Sequence, residues 1–487
     1  MDSPTDHPAT PDHRSTRRSR IPARAWRTLA VTSIVGFMVS LEITVIALAF
    51  PAIRQAFPDA SESTLSWIIT AYNIGVASLL LVAGWAADRF GRKRVFLLGL
   101  AVFAVGSLGS GLAPDATLLI VSRVVQAVGG ALQFPAGLAL LLPAFPFERR
   151  QMAIGVWGAM GGLAAALGPP LGGFLVGAFG WPAVFLVNVP IAAGALVAGW
   201  FWLEEGRGET LPSRVDLVSI PAASLGVGVL VLAIVQSESW GLGPSTVAAV
   251  AIGAALVAVF VVRSRRHPAP LFDLELFRLP SYWLGCVGTV AFVVGFFAFF
   301  VPFPTFLQQG WGWSTIRTGL AIVPGPLLAA VVSPPVGRLA DRVGNGPILA
   351  VGGAAGVTAM GLHLLLTDLQ PRLFLGVILP GLFLGVAAGC SFAMSVGATM
   401  RDVPPHRFGM AGAGRTTVFQ LSVAVAIALA VAVIGDPATG EARLSAMRLS
   451  WGLCLAAFAV QAIVFGVFFP RGNPVAPVHG SDAAGAP

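Results

Sequence analysis

Charge is what this chain has least of. Only 11% of its 487 residues are Asp, Glu, Lys or Arg, against about 25% in soluble globular proteins. That scarcity excludes the soluble classes, because so apolar a molecule of 50.2 kDa cannot cover itself with polar surface. Cysteine is nearly as rare: Cys286, Cys390 and Cys454 fall inside apolar runs without metal or redox spacing, which argues against a disulfide scaffold and a metal site. No cluster of His, Asp or Ser converges as a membrane-embedded enzyme would require. Neither a G-x-x-x-x-G-K-[ST] phosphate loop nor a connection long enough for a nucleotide-binding domain is present, so ATP-driven work within this chain is disfavoured. The net charge of +8 comes in short basic bursts between apolar runs, a signal of membrane topology rather than of nucleic-acid binding.

What is there is apolar length. Hydrophobic residues make up 56% of the chain and the mean hydropathy is +0.83. A hydrocarbon core about 30 Å thick takes about 20 residues of helix. Fourteen runs meet that length, at 28–50, 64–84, 95–113, 117–142, 152–178, 182–203, 217–236, 244–262, 282–307, 318–337, 347–367, 373–396, 409–433 and 449–469. The runs are continuous in Leu, Val, Ala and Gly and do not alternate as barrel strands do, so the expectation is an all-α integral membrane protein. Of the 30 Lys and Arg, only Arg54, Arg317, Arg372, Arg443 and Arg448 fall on one side, and Arg123 and Arg415 lie inside spans. The remainder sit in the tails and the even-numbered connections, which the positive-inside rule makes cytoplasmic, with both termini inside.

The fragment from Gly84 through Asp88, Arg89, Gly91 and Arg92 follows the second run, and Gly337 through Asp341, Arg342 and Gly344 follows the tenth. Both read G-x-x-x-D-R-x-G. Placed at equivalent points, they divide the chain into a tail (1–27), six helices (28–203), a linker with an inserted pair (204–265), six more helices (266–470) and a disordered tail (471–487). One such fragment alone would be a polar turn; its recurrence points to a latch. Gly lets two helices approach, Asp can face the positive end of another helix, and Arg can bind carboxylates or carbonyls. The second copy lacks the basic triplet that follows the first and is expected to latch more weakly.

The first fragment resembles the loop signature of the major facilitator superfamily, and the 6 + 2 + 6 layout resembles its fourteen-helix drug:proton antiporter branch. Three further stretches agree. Ser40 to Pro51 is similar to the branch pattern L-D-x-T-V-V-N-V-A-L-P, with Glu42 for Asp and Ala47 for Asn. Arg123 to Ala131 resembles R-x-x-Q-G-x-G, with Ala127 replacing one Gly. Gly168, Pro169, Gly172 and Gly173 match the antiporter motif G-P-x-x-G-G, though Ala164 replaces its leading Gly. The resemblance implies a proton-driven exporter of lipophilic small molecules such as antibiotics, monomeric, in the plasma (inner) membrane, without a cofactor. It also implies that spans 1, 2, 4, 5, 9, 10, 12 and 13 line the cavity.

Glu42 is the one carboxylate placed deep in a span, where a charge costs at least about 2.5 kcal/mol on insertion scales; it is the candidate proton carrier, and Arg123, always charged, is its natural partner. Gly168, Pro169 and Pro170 are expected to kink the fifth span, with Gly172 and Gly173 packed closely there. Asn73, Gln126, Gln133 and Gln420 are cavity candidates, preferred over Asn188. Phe296 and Phe300 belong to a phenylalanine stripe on span nine that suits either a lipophilic substrate or lipid. Arg415 suits either an anionic substrate group or a position snorkelling toward the cytoplasm. His363 reads as structural. Neutral, zwitterionic or anionic compounds fit this inventory better than dications. A lipid or glycolipid exporter, or a proton-coupled nutrient symporter, would use the same scaffold.

Overall fold

The computed structural model describes residues 21–146, 149–206, 218–241, 243–267, 272–300, 302–404, 407–434 and 439–470, and the side chains of a few helical residues, Pro169 and Pro170 among them, fall outside that description as well. Both expected tails therefore lie largely outside the described residues. Among the described residues the regular structure is entirely helical. The chain order begins α1 (Ala23–Ala56), α2 (Glu62–Phe90), α3 (Arg92–Gly111), α4 (Ala116–Ala144), α5 (Arg150–Phe179), α6 (Ala183–Leu186) and α7 (Asn188–Trp202). After these come α8 (Ser219–Trp240) and α9 (Pro244–Arg266). The order continues with α10 (Pro280–Phe300), α11 (Phe303–Trp311), α12 (Thr315–Ile322), α13 (Pro324–Val343), α14 (Asn345–Leu366), α15 (Leu379–Met400), α16 (Phe408–Ile434) and α17 (Gly440–Ile463).

Eleven helical stretches among the described residues are long and apolar enough to cross a membrane. The other three runs expected to span fall on α1, α5 and α8, helices of 34, 30 and 22 residues. Short polar side chains start several helices by accepting a backbone N–H of the first turn. Ser61 takes that of Thr64 at 3.1 Å and Asp115 that of Leu118 at 2.8 Å. The last Gly of each repeated fragment has a different task. Gly91 (φ 107°) and Gly344 (φ 81°) turn the chain within one residue from α2 into α3 and from α13 into α14, a backbone region that a Cβ disfavours.

Helices α1–α7 pack chiefly among themselves, through α3 on α4, α1 on α5 and α2 on α4, as do α10–α17 through α14 on α15 and α17 and α10 on α16 and α17. Two seams join the groups: α5 with α13, and α2 with α16. Both close at the end that carries the basic loops. There a Cβ on Gly84 would strike Ala413 and the Gly409 carbonyl, one on Gly155 would strike the Ser333 carbonyl, and one on Gly158 would strike Ala393. The α8–α9 pair is asymmetric: α8 packs on both α2 and α16, whereas α9 packs on α8 and leaves Val247, Ile252 and Val262 exposed.

The fifth helix carries the Gly168–Gly173 stretch in its second half. α5 runs unbroken from Arg150 to Phe179 through positions 169 and 170; a proline removes only its own ladder bond, and membrane helices tolerate that loss when the flanking turns persist. Gly173 is exposed with no atom within 4 Å of where its Cβ would lie. Close approach by α5 occurs about four to five turns earlier, at Gly155 and Gly158, near the basic end.

Candidate functional site

Five helices meet at one buried ionic cluster. Glu42 on α1 is 3% exposed and Arg123 on α4 is 1% exposed, a degree of burial that excludes bulk water from the pair. Arg123 Nη1 donates to Glu42 Oε1 and also to Gln126 Oε1 at 2.5 Å, while its Nε donates to the Ile68 carbonyl of α2 at 3.0 Å. The other carboxylate oxygen, Oε2, accepts from Asn188 Nδ2 of α7 at 2.7 Å. Gln126 in turn donates to Ser107 Oγ on α3 at 2.8 Å. The Tyr72 ring lies 4.2 Å from the guanidinium carbon, a desolvated cation–π contact. Buried charges persist only when paired and hydrogen-bonded, and here each carboxylate oxygen has its own donor.

The remaining cavity candidates separate. Gln126 belongs to the cluster. Gln133, about two turns further along the same face of α4, is fully buried and neither amide atom has a hydrogen-bond partner among the described residues. Asn73 and Gln420 are half-buried. Asn188, set behind them as a cavity candidate, is buried and reaches the carboxylate, because the acidic side chain turns toward α7. Tyr72, Ser107 and the Ile68 carbonyl were not foreseen either. A lone Asn, in an otherwise apolar helix, was the signal that could have found Asn188, since an amide there needs a partner.

At the basic end the two repeated fragments make equivalent contacts. Asp88 Oδ2 accepts the Met410 N–H at the start of α16 at 2.9 Å, and its Oδ1 accepts Arg92 Nη2 at 3.0 Å; Arg92 also donates to the Ala139 carbonyl at 3.2 Å. Asp341 Oδ1 accepts the Gln151 and Met152 N–H groups at the start of α5, at 3.1 and 3.4 Å. Each aspartate thus sits at a helix N-terminus of the other group, where the backbone carries partial positive charge. Arg89 is half-buried and Arg342 exposed.

On α16, Arg415 is buried and donates to Ser395 Oγ of α15 at 2.7 Å; it does not snorkel. Phe296, Phe297 and Phe300 of α10 are half-buried, and Phe296 stacks on Phe300 at 5.3 Å. Phe292 and Phe299 are buried behind them. His363 packs among Phe299, Phe303 and Trp451 with Nδ1 3.1 Å from Thr367 Oγ1, a structural setting. The three cysteines are buried and free, and no metal-holding group occurs among the described residues.

Comparison with known proteins matches residues 32–427 to the family described as Major Facilitator Superfamily. The chain is 36% identical over 350 residues to the tetracenomycin C resistance and export protein of Streptomyces glaucescens, across 71% of this chain and 64% of that relative's length. It is 31% identical over 408 residues to the multidrug efflux pump LfrA of Mycolicibacterium smegmatis, across 84% of this chain and 80% of the relative. Among solved structures, the proton:xylose symporter XylE bound to 6-bromo-6-deoxy-D-glucose shares the fold with a TM-score of 0.68 at 14% identity, covering 93% of this chain and 98% of that one.

Proposed function

The chain belongs to the major facilitator superfamily, and from that premise we propose that it is a drug:proton antiporter that exports lipophilic small molecules. Family members are transporters and not enzymes; this one is a multi-pass protein of the plasma membrane that moves small molecules by alternating access. The finer reading is a 6 + 2 + 6 arrangement of fourteen spans with cytoplasmic termini. Its two six-helix halves, 28–203 and 266–470, rock about a midplane site.

The observation that carries the proposal is the sealed Glu42–Arg123 pair. Arg123 occupies the Glu42 oxygen that a proton would take, and parting the two frees that oxygen. Helices α1, α4 and α7 all contribute to the cluster, so a rearrangement among them changes that balance and couples conformation to protonation. With Glu42 as the carrier, one proton exchanges per cycle. The aspartate caps at the basic end hold the cytoplasmic side closed in this conformation, and the proton gradient supplies the energy, its electrical part about 2.3 kcal/mol per charge per 100 mV. Direction rests on the export and efflux names of the relatives, since the fold is shared with a symporter.

A growth-inhibition panel of antibiotics and other lipophilic compounds, in a host lacking its own efflux pumps, tests this reading. Wild type is expected to protect against a subset, and Glu42→Gln at equal membrane expression to abolish that protection. Sensitisation, or protection against nothing, would replace export with uptake or with lipid transport.

A further inference from the structure

The second buried guanidinium differs from Arg123 in what surrounds it. Arg415 is 5% exposed, yet among the described residues no carboxylate pairs with it. One nitrogen donates to Ser395 Oγ at 2.7 Å, and Nε is buried without a hydrogen-bond partner. Helices α10, α15 and α16, which enclose it, carry no Asp or Glu. The titratable groups that face it are Tyr282 and Cys286 of α10, and the Tyr282 hydroxyl already donates to the Ala411 carbonyl at 3.0 Å. A guanidinium does not shed its proton in a protein, and a buried charge without a counter-charge is among the costliest features a fold retains.

Aromatic rings stand beside this charge. The guanidinium carbon lies 5.7 Å from the Phe419 ring. Phe419 meets Phe297 and Phe392 at 6.2 Å each, and Phe392 meets Phe296 at 5.1 Å. These four rings come from three helices and all are half-buried, so each presents a face that the fold leaves uncovered. Arg415 lies five residues beyond Met410, the backbone group held by Asp88, and thus about 7 Å along α16 from the closed basic end.

We propose that Arg415 and the Phe297–Phe392–Phe419 wall form the docking site for an aromatic substrate that carries one acidic oxygen group, a carboxylate or a phenolate. The ionised group accepts from the unpartnered Nε and an adjacent Nη, the geometry in which guanidinium grips an oxyanion better than an ammonium does. The flat ring system lies edge or face against the phenylalanines. The inference rests on the export reading above and names the class of its cargo, because the anion the fold does not supply arrives with the substrate.

Equilibrium binding of tritiated anthracene-2-carboxylate and of its uncharged carboxamide, to the full chain in nanodiscs, tests the assignment without any transport step. Wild type is expected to bind the acid at least tenfold more tightly than the amide. Arg415→Gln brings the acid to the level of the amide, with a thermal unfolding transition like that of wild type showing that the variant is folded; Arg415→Lys falls between. Phe392→Ala weakens both ligands by a similar factor. Equal binding of acid and amide by wild type, or an acid preference that survives Arg415→Gln, overturns the proposal. Vesicle transport of the same probe separates the two readings: an acid that binds through Arg415 but is not exported leaves this site standing and removes the export reading.

Discussion

Asn188 donates to the Glu42 oxygen that Arg123 does not take, at 2.7 Å. The carboxylate is therefore held from α4 and from α7 at once, and the sixth expected span, which the resemblance placed away from the cavity, belongs to the ionic cluster. Replacing Asn188 by Leu removes a charge-assisted hydrogen bond of about 1.5–3 kcal/mol and leaves Oε2 unpaired. Thermal unfolding in detergent should register that loss. Export should fall while the substrate profile stays the same, because the change acts on the carboxylate and not on the cargo.

The ion pair itself invites a double-mutant cycle. Glu42→Leu leaves Arg123 buried without its partner, a loss of about 3–5 kcal/mol; adding Arg123→Met should recover most of it. Comparison of the four melting curves, of wild type, Glu42→Leu, Arg123→Met and the double variant, checks this, and simple additivity of the two losses would mean that the residues do not act as a pair.

Asp88 and Asp341 predict a conformational phenotype. Asp88→Leu removes the cap on α16 and the partner of Arg92, so the basic ends of α2 and α16 should separate. Spin labels on those two ends, read by pulsed dipolar spectroscopy, should show a new long-distance population that wild type lacks. Asp341→Leu should act in the same direction on α5 and α13.

Two glycines of α5 should behave oppositely. A Cβ on Gly158 meets the Ala393 side chain, whereas one on Gly173 meets nothing within 4 Å. Gly158→Ala should wedge the α5–α15 contact apart and lower the melting temperature. Gly173→Ala should hold or raise it, by up to about 1 kcal/mol from helix propensity.

Much of this was legible in the sequence, for identifiable reasons. Apolar runs report helix length directly, so the runs at 217–236 and 244–262 appear as the helices α8 and α9. The repeated fragment was readable because one charge pattern occurs twice and both copies now face helix N-termini. The partner of Arg123 was readable from scarcity, as one deep carboxylate left few choices. The Asn188 contact was not legible because helix order does not tell which way a side chain on α1 turns. A Cβ would strike a facing helix at Gly155 and Gly158 and meet nothing at Gly173, since a glycine marks where close approach is allowed and not where it happens. The surroundings of Arg415 come from α10, α15 and α16 together, a tertiary arrangement that no local pattern encodes.

The central claim is that Glu42 exchanges a proton for the exported compound. The most direct measurement uses everted membrane vesicles with a respiration-driven, acid-inside gradient followed by a pH-sensitive dye. The added compound is the one against which the growth panel shows the strongest protection. The account predicts that the compound releases protons from vesicles carrying wild type, at one proton per molecule moved, and releases none from vesicles carrying Glu42→Gln. Proton release that persists in Glu42→Gln, or export by wild type that continues after a protonophore has collapsed the gradient, would contradict it.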